Sequence, residues 1–217
     1  VNPQAAIVSA VYDSYDTVKP VLPQWGLDVE WVMVTDDPDL KAEGWRVVHE
    51  PRPGLHPNRA AKYPKFNPER YTTAPMSVWV DASFRVTSKM FAVDVLEQNH
   101  PIAQFAHPWR DCLFDEADAS VGLPKYAGEP VREQAEYYRK FGHPEHWGLW
   151  ATGVIARRHT LETSRLGSRW GLEVNDWTFQ DQISEPYALR WVGLRPVSLP
   201  GTHFANPWLS YEGSGRH

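Results

Sequence analysis

Three short apolar runs limit what this chain can fold into. Residues 5–11, 29–34 and 77–80 are apolar and rich in β-branched side chains, and each stops at a loop that carries an acid: Asp13, Asp36 and Asp81. Runs of that length between polar turns read as strands covered on both faces. The strand–crossover–strand rhythm predicts a parallel sheet with right-handed connections. The loops after the three strands would then meet at one edge, the carboxyl edge, where open α/β sheets bind ligands.

The remaining elements fit the same plan. Residues 45–49 read as a short third strand, and 101–106, 148–156, 191–194 and 197–199 as later ones. Helices are expected over 17–24 (limited by Pro20 and Pro23), 88–98 with Ser88 as N-cap, 109–119, 131–141 and 161–170, and from Thr178 onward. In the helix at 131–141, Val131, Ala135, Tyr138 and Phe141 recur at helical spacing and should face the core. Residues 50–75, rich in Pro, Arg, Lys and His, read as a long surface segment with a helical turn near 58–62, a kind of loop that often carries function. A Gly- and Pro-punctuated tail follows the last strand. The chain has 217 residues, 42% of them hydrophobic, and shows neither repeat nor linker, so one domain spanning 1–217 is expected.

Composition removes several function classes. A net charge of −5 argues against a basic nucleic-acid-binding face. No run reaches the length of a membrane span. Cys112 is the only cysteine, so no disulfide within the chain and no Cys-based zinc site is expected. With no basic, apolar leader at the N-terminus, a cytoplasmic protein is the expectation. The 11 Trp, 9 Tyr and 8 Phe either fill the core or line a groove where sugar rings stack.

Several residues are open to two readings each. Asp81 either caps a turn or presents a carboxylate to a donor ribose or a metal. Tyr12 and Asp36 sit at the other two strand ends. Arg59, Lys62 and Lys65, spaced i, i+3 and i+6, would share one helical face, either as a solvated basic surface or as cations for a diphosphate. In the stretch from His107 through Arg110 to Glu116, Arg110 and Glu116 are six apart and should not share a helical face. Asp181 lies three residues after Thr178, at the capping-box position. Alternatively it is a carboxylate within reach of a hydroxyl proton. His203 is either an exposed tail residue or a metal or pyrophosphate contact.

Taken in order, Lys62-Tyr-Pro-Lys65, Trp79-Val-Asp81, His107-Pro-Trp-Arg110 with Glu116-Ala117, Gln134 to Tyr138 before Gly142, and Asp181-Gln182-Ile-Ser184 resemble the glycosyltransferase-like family of plant mucilage-related proteins with bacterial and phage-encoded members. The resemblance covers about residues 62–191. It implies a GT-A-like, Rossmann-like α/β fold, with a mixed, mostly parallel sheet flanked by helices. It also implies a nucleotide-sugar donor, UDP-sugar favoured, and a protein or glycan acceptor. On this reading Asp181 and Asp81 are catalytic, and Tyr12, Asp36, Arg59, Lys62, Lys65, Asp81 and Ser83 bind the donor. His107, Arg110, Glu116, Gly153, Trp177 and Gln182 shape the acceptor or sugar site. Ser83 stands where the second acid of Asp-x-Asp would be, so either Mn²⁺ or Mg²⁺ would fall to Asp81 with His203, or positive side chains would replace the metal. Two further readings are a metal-dependent amide or ester hydrolase, kept open by plant relatives linked to ceramide metabolism, and a non-catalytic glycan-binding module.

Overall fold

The computed structural model describes residues 2–97 and 100–213. The first half contains β1 (Ala5–Val11), β2 (Val29–Thr35), β3 (Arg46–His49), the short helices α1 (Pro57–Ala60) and α2 (Lys62–Phe66), β4 (Met76–Val80), β5 (Phe84–Val86) and α3 (Phe91–Leu96). The second half contains β6 (Ile102–Ala106), α4 (Leu113–Val121), α5 (Val131–Lys140), β7 (Trp150–Arg158), α6 (Leu161–Asp176), α7 (Asp181–Val192), β8 (Val197–Leu199) and β9 (Leu209–Tyr211).

Seven strands form one sheet in the order β3-β2-β1-β4-β7-β6-β8. β1 pairs in parallel with β2 and β4, and β2 in parallel with β3. β7 runs antiparallel to both neighbours, while β8 is parallel to β6. The sheet is therefore mixed and mostly parallel, with helices flanking it, as expected. Successive side chains of β1 enter opposite cores: Ala6, Val8 and Ala10 join the cluster under α4–α7, and Ala5 and Ile7 join that of α3. Burial on both faces explains why β1 reads as an unbroken apolar run.

Five expectations need correction. Phe141, expected to face the core, lies just past the end of α5 and is 57% exposed. Residues 17–24 form no helix. Pro20 and Pro23 lack amide donors, and the backbone is tied down by side chains instead, with Trp45 Nε1 donating to the Lys19 carbonyl at 2.9 Å and Gln24 Nε2 to the Leu22 carbonyl at 2.9 Å. Residues 50–75 are no mere surface loop. They fold into α1, α2 and a 3-10 turn at Pro68–Arg70, burying Pro64, Lys65 and Phe66. Phe66 packs on Trp170 of α6 with ring centroids 4.7 Å apart.

Residues 191–194 are not a strand, because α7 runs to Val192 and stops at Gly193, whose φ of 75° only glycine adopts without strain. The tail, finally, is structured: β9 pairs antiparallel with β5 beside Asp81. Smaller shifts follow from local capping. α4 begins at Leu113 rather than 109, α6 continues to Asp176, and α7 begins at Asp181 rather than Thr178. Ser88 Oγ accepts from Met90 N at 3.2 Å just before α3, and the expected end of that helix at residue 98 lies outside the described residues.

Candidate functional site

The loops after β1 and β4 meet α1 and α2 around an open cleft of about 130 Å³, lined by Tyr12, Tyr15, Asp16, Lys62, Lys65, Asp81, Ser83 and Lys125 among others. The loop after β1 turns sharply through two left-handed non-glycine residues, Asp13 (φ 53°) and Ser14 (φ 50°). Asp36 holds it there, its carboxylate accepting from Asp13 N at 3.1 Å. Asp36 thus shapes the cleft from β2 without lining it. Tyr12 closes one wall, donating to the Glu50 carbonyl at 2.8 Å, and burial pushes its phenol up to about 12.

Lys62, Lys65 and Asp81 make up the floor, and Asp181 lies buried behind the lysines. Lys65 Nζ lies 2.8 Å from Asp181 Oδ2 and 3.1 Å from Asp81 Oδ1, and Lys62 Nζ lies 2.9 Å from Asp181 Oδ2. Thr152 Oγ1 donates to the other Asp181 oxygen at 3.2 Å. Burial would raise the Asp181 pKa, but the cations of Lys62 and Lys65 reverse this and hold it well below the usual carboxylate range. For Lys65, burial pulls the ammonium pKa down, but Asp181 and Asp81 outweigh it and raise it. Burial dominates at Lys62 and lowers it to about 8, although Asp181 opposes the shift.

The placement of these groups has definite causes. His56 Nδ1 caps α1 by accepting from Asn58 N at 3.2 Å. α2 is pressed onto α6 where Gly167 leaves room: a Cβ there would overlap the Phe66 carbonyl. The buried Arg157 donates to that same carbonyl at 3.0 Å. Asp181 is fixed from behind by Trp170 Nε1, which donates to its backbone carbonyl at 3.0 Å. The capping-box geometry does not form, since Thr178 Oγ1 accepts from Gln180 N instead and the Asp181 carboxylate goes to the lysines.

Asp81 is half-exposed to the cleft. Its amide donates to the Gly153 carbonyl at 2.8 Å, and Trp79 Nε1 donates to its Oδ1 at 2.6 Å. Gly153 is small because it must be: a Cβ there would lie 2.8 Å from Phe84 Cε2 and 3.3 Å from Asp81 Oδ2. Ser83 lines the cleft, and its carbonyl accepts from Glu212 N at 2.7 Å, joining the tail to the site. His203 lies near enough to feel the Asp81 charge, and its Nδ1 is shielded from solvent without a hydrogen-bond partner among the described residues.

These donors do not fit a two-carboxylate chelate for Mn²⁺ or Mg²⁺. Asp81 Oδ1 is already bound by Lys65 and Trp79, Ser83 replaces the second acid, and two ammonium groups stand where a hard cation wants oxygens. In a separate place, ligand atoms of Cys112, Asp115 and His146 lie within 4.8 Å of one another, a grouping that one cysteine in the sequence did not announce.

Other expected residues lie apart from the cleft. Arg59 does not share a face with Lys62 and Lys65, because the helix breaks at Ala61. Its guanidinium donates to the carbonyls of Val174 and Trp177 and pairs with Glu129 at 2.8 Å, where it ties α1 to the end of α6. Trp177 thus serves this junction through its carbonyl, and its ring packs on Tyr137 with centroids 5.2 Å apart. Gln182 sits half-buried in the first turn of α7.

Arg110 and Glu116, six apart in sequence, do meet, with Nε and Oε2 at 2.6 Å. Arg110 precedes α4 rather than lying on it, so the helical-face argument does not apply. Gln180 Nε2 donates to the other Glu116 oxygen at 3.0 Å, and burial holds His107 neutral, down to about 4. The trio braces the end of β6 against the turn before α7.

Sequence reasoning did not single out Tyr15, Asp16, Lys125 or Thr152. Asp16 and Tyr15 follow a recognised strand end and were within reach of that argument. Lys125 and Thr152 join the site only through folding.

No helix among the described residues is long and apolar enough to cross a membrane. A comparison with curated proteins finds no match. The model of the TOD1/MUCI70 glycosyltransferase-like domain matches residues 26–198, which take in β2 to β8 and with them Lys62, Lys65, Asp81, Lys125 and Asp181. The chain belongs to the TOD1/MUCI70 glycosyltransferase-like domain family.

Proposed function

We propose that the protein transfers a sugar from a nucleoside diphosphate sugar, UDP-sugar favoured, to an acceptor hydroxyl, with the donor seated in the cleft at the carboxyl edge. The observation that carries this reading is the set of three lysines around the cleft. Lys62 and Lys65 are held on its floor by Asp181, and Lys125 has no carboxylate within ion-pair distance among the described residues. Such a set offsets part of the diphosphate's negative charge, including the one charge that develops as it leaves. Lysines in this role take over the charge compensation that the incomplete chelate would otherwise supply.

Asp181, buried and bonded at both oxygens, is the positioning residue for Lys62 and Lys65 and is poorly placed to remove a proton. Asp81 is the carboxylate open to the cleft and is assigned to the donor ribose or sugar. Tyr12, Tyr15 and Asp16 form the wall for the nucleoside, and Ser83 the rim.

The test is a thermal-shift screen of UDP-, GDP- and TDP-sugars with and without Mn²⁺, on the natural chain and on Lys125→Ala and Asp81→Asn. The expected result is stabilisation by one nucleotide series without a need for Mn²⁺, weakened in both variants. No shift with any nucleotide sugar would overturn the reading.

A further inference from the structure

The rim of the cleft nearest the C-terminal segment carries exposed aromatic rings that the donor reading does not use. Trp109, after β6, is 69% exposed, and Phe204 and Tyr211, in the tail, are 48% and 45% exposed. Exposure of one such ring is ordinary; contact among three is not. Trp109 and Phe204 lie with centroids 5.9 Å apart at 33°, and Phe204 and Tyr211 at 5.4 Å and 85°. The row is anchored from below: Tyr211 packs on the buried Phe84 at 5.4 Å, and His203 on Phe204 at 3.9 Å. It also adjoins the cleft, since Tyr211 pairs with Phe84 and the next residue's amide, Glu212 N, donates to the carbonyl of Ser83, which lines the cleft.

We infer that this ledge of Trp109, Phe204 and Tyr211 is the acceptor subsite and that the acceptor is a neutral saccharide chain, its sugar rings stacked on Trp109 and Phe204 and its end directed toward Asp81. Two features select that chemistry. A pyranose has apolar C–H faces that pack on exposed rings and hydroxyls at its edge. Among the described residues the charges beside the ledge are paired, Arg85 lying 3.8 Å from Glu212. This placement rests on the donor reading for its direction, since the ledge ends at the cleft assigned to the nucleotide sugar.

Saturation-transfer NMR with neutral gluco-, manno-, galacto- and xylo-oligosaccharides tests it, on the natural chain, Trp109→Ala and Phe204→Ala, with UDP titrated separately into the natural chain. Both rings are exposed, so both variants should melt with the natural chain. At least one oligosaccharide series should bind, and each substitution should weaken it roughly three- to tenfold. Two results would overturn the inference: no oligosaccharide bound by a chain that binds UDP, or saccharide binding indifferent to both substitutions. Ring-dependent capture of peptides or of neutral lipid vesicles in place of sugars would also overturn it. Saccharide binding lost in Trp109→Ala without any UDP binding would uphold the ledge and remove the donor reading alone.

Discussion

Glu185 lies one turn beyond Asp181 on α7 and is fully buried. Gln104 Nε2 donates to its Oε1 at 2.7 Å, while its Oε2 has no partner among the described residues. Burial is the largest influence and raises its carboxyl to about 8; the Gln104 hydrogen bond and the charges of Arg157 and Lys65 oppose that rise, and Asp181 adds to it. An unfolded chain would release this proton near pH 4.5, the ordinary value for the group. Between those values the folded state holds a proton that the unfolded state has lost, so stability falls as pH rises. The slope for one group is about 1.4 kcal/mol per pH unit. From about pH 5.5 to about pH 7.5 the loss is therefore roughly 2.5 kcal/mol.

Glu185→Gln keeps the shape and has no proton to lose. It also brings an amide donor near Gln104 Oε1, which lacks one. Urea unfolding of both proteins at the two pH values isolates the effect, because His107, His143 and His159, whose pKa values burial also lowers, contribute equally to both. The natural chain should lose roughly 2.5 kcal/mol more than the variant on going to the higher pH. A difference under about 0.5 kcal/mol would refute the assignment of a protonated carboxyl beneath the site.

Two further outcomes are expected. In Gly167→Ala the new methyl would overlap the Phe66 carbonyl and force α2 away from α6, whereas Gly171→Ala on the same helix meets only Phe66 Cδ2 at 3.4 Å. The first should cost about 3 kcal/mol and lower the melting temperature by roughly 6–12 °C. The second should be neutral or gain up to about 1 kcal/mol from helix propensity, and equal melting of the two would contradict the close helix contact. Lys62 loses its charge near pH 8, so nucleoside diphosphate affinity measured by calorimetry should decline as pH rises through that value. In Lys62→Met that step should disappear; a step of the same size in the variant would assign it to another group.

What could be read along the chain was whatever neighbouring residues decide. The runs at Ala5–Val11, Val29–Thr35 and Met76–Val80 are strands because their side chains enter apolar cores on both faces, and that condition is written locally in the composition. The strand–crossover–strand rhythm and the acids at the strand ends were enough to place Asp81 at the carboxyl edge of the sheet. Spacing misled where the chain breaks its period. Arg59 and Lys62 part company at Ala61, and Arg110 reaches Glu116 only because it stands before α4.

Tertiary structure decided the rest, since the decisive partners lie far apart in sequence. Lys65 meets Asp181 across 116 positions, β5 finds β9 only when the tail folds back, and Trp109 meets Phe204 from the other end of the domain's second half. Such pairs depend on where the sheet places its loops. A carboxylate at a helix start looks the same in sequence whether it caps that helix or, as at Asp181, anchors two buried lysines.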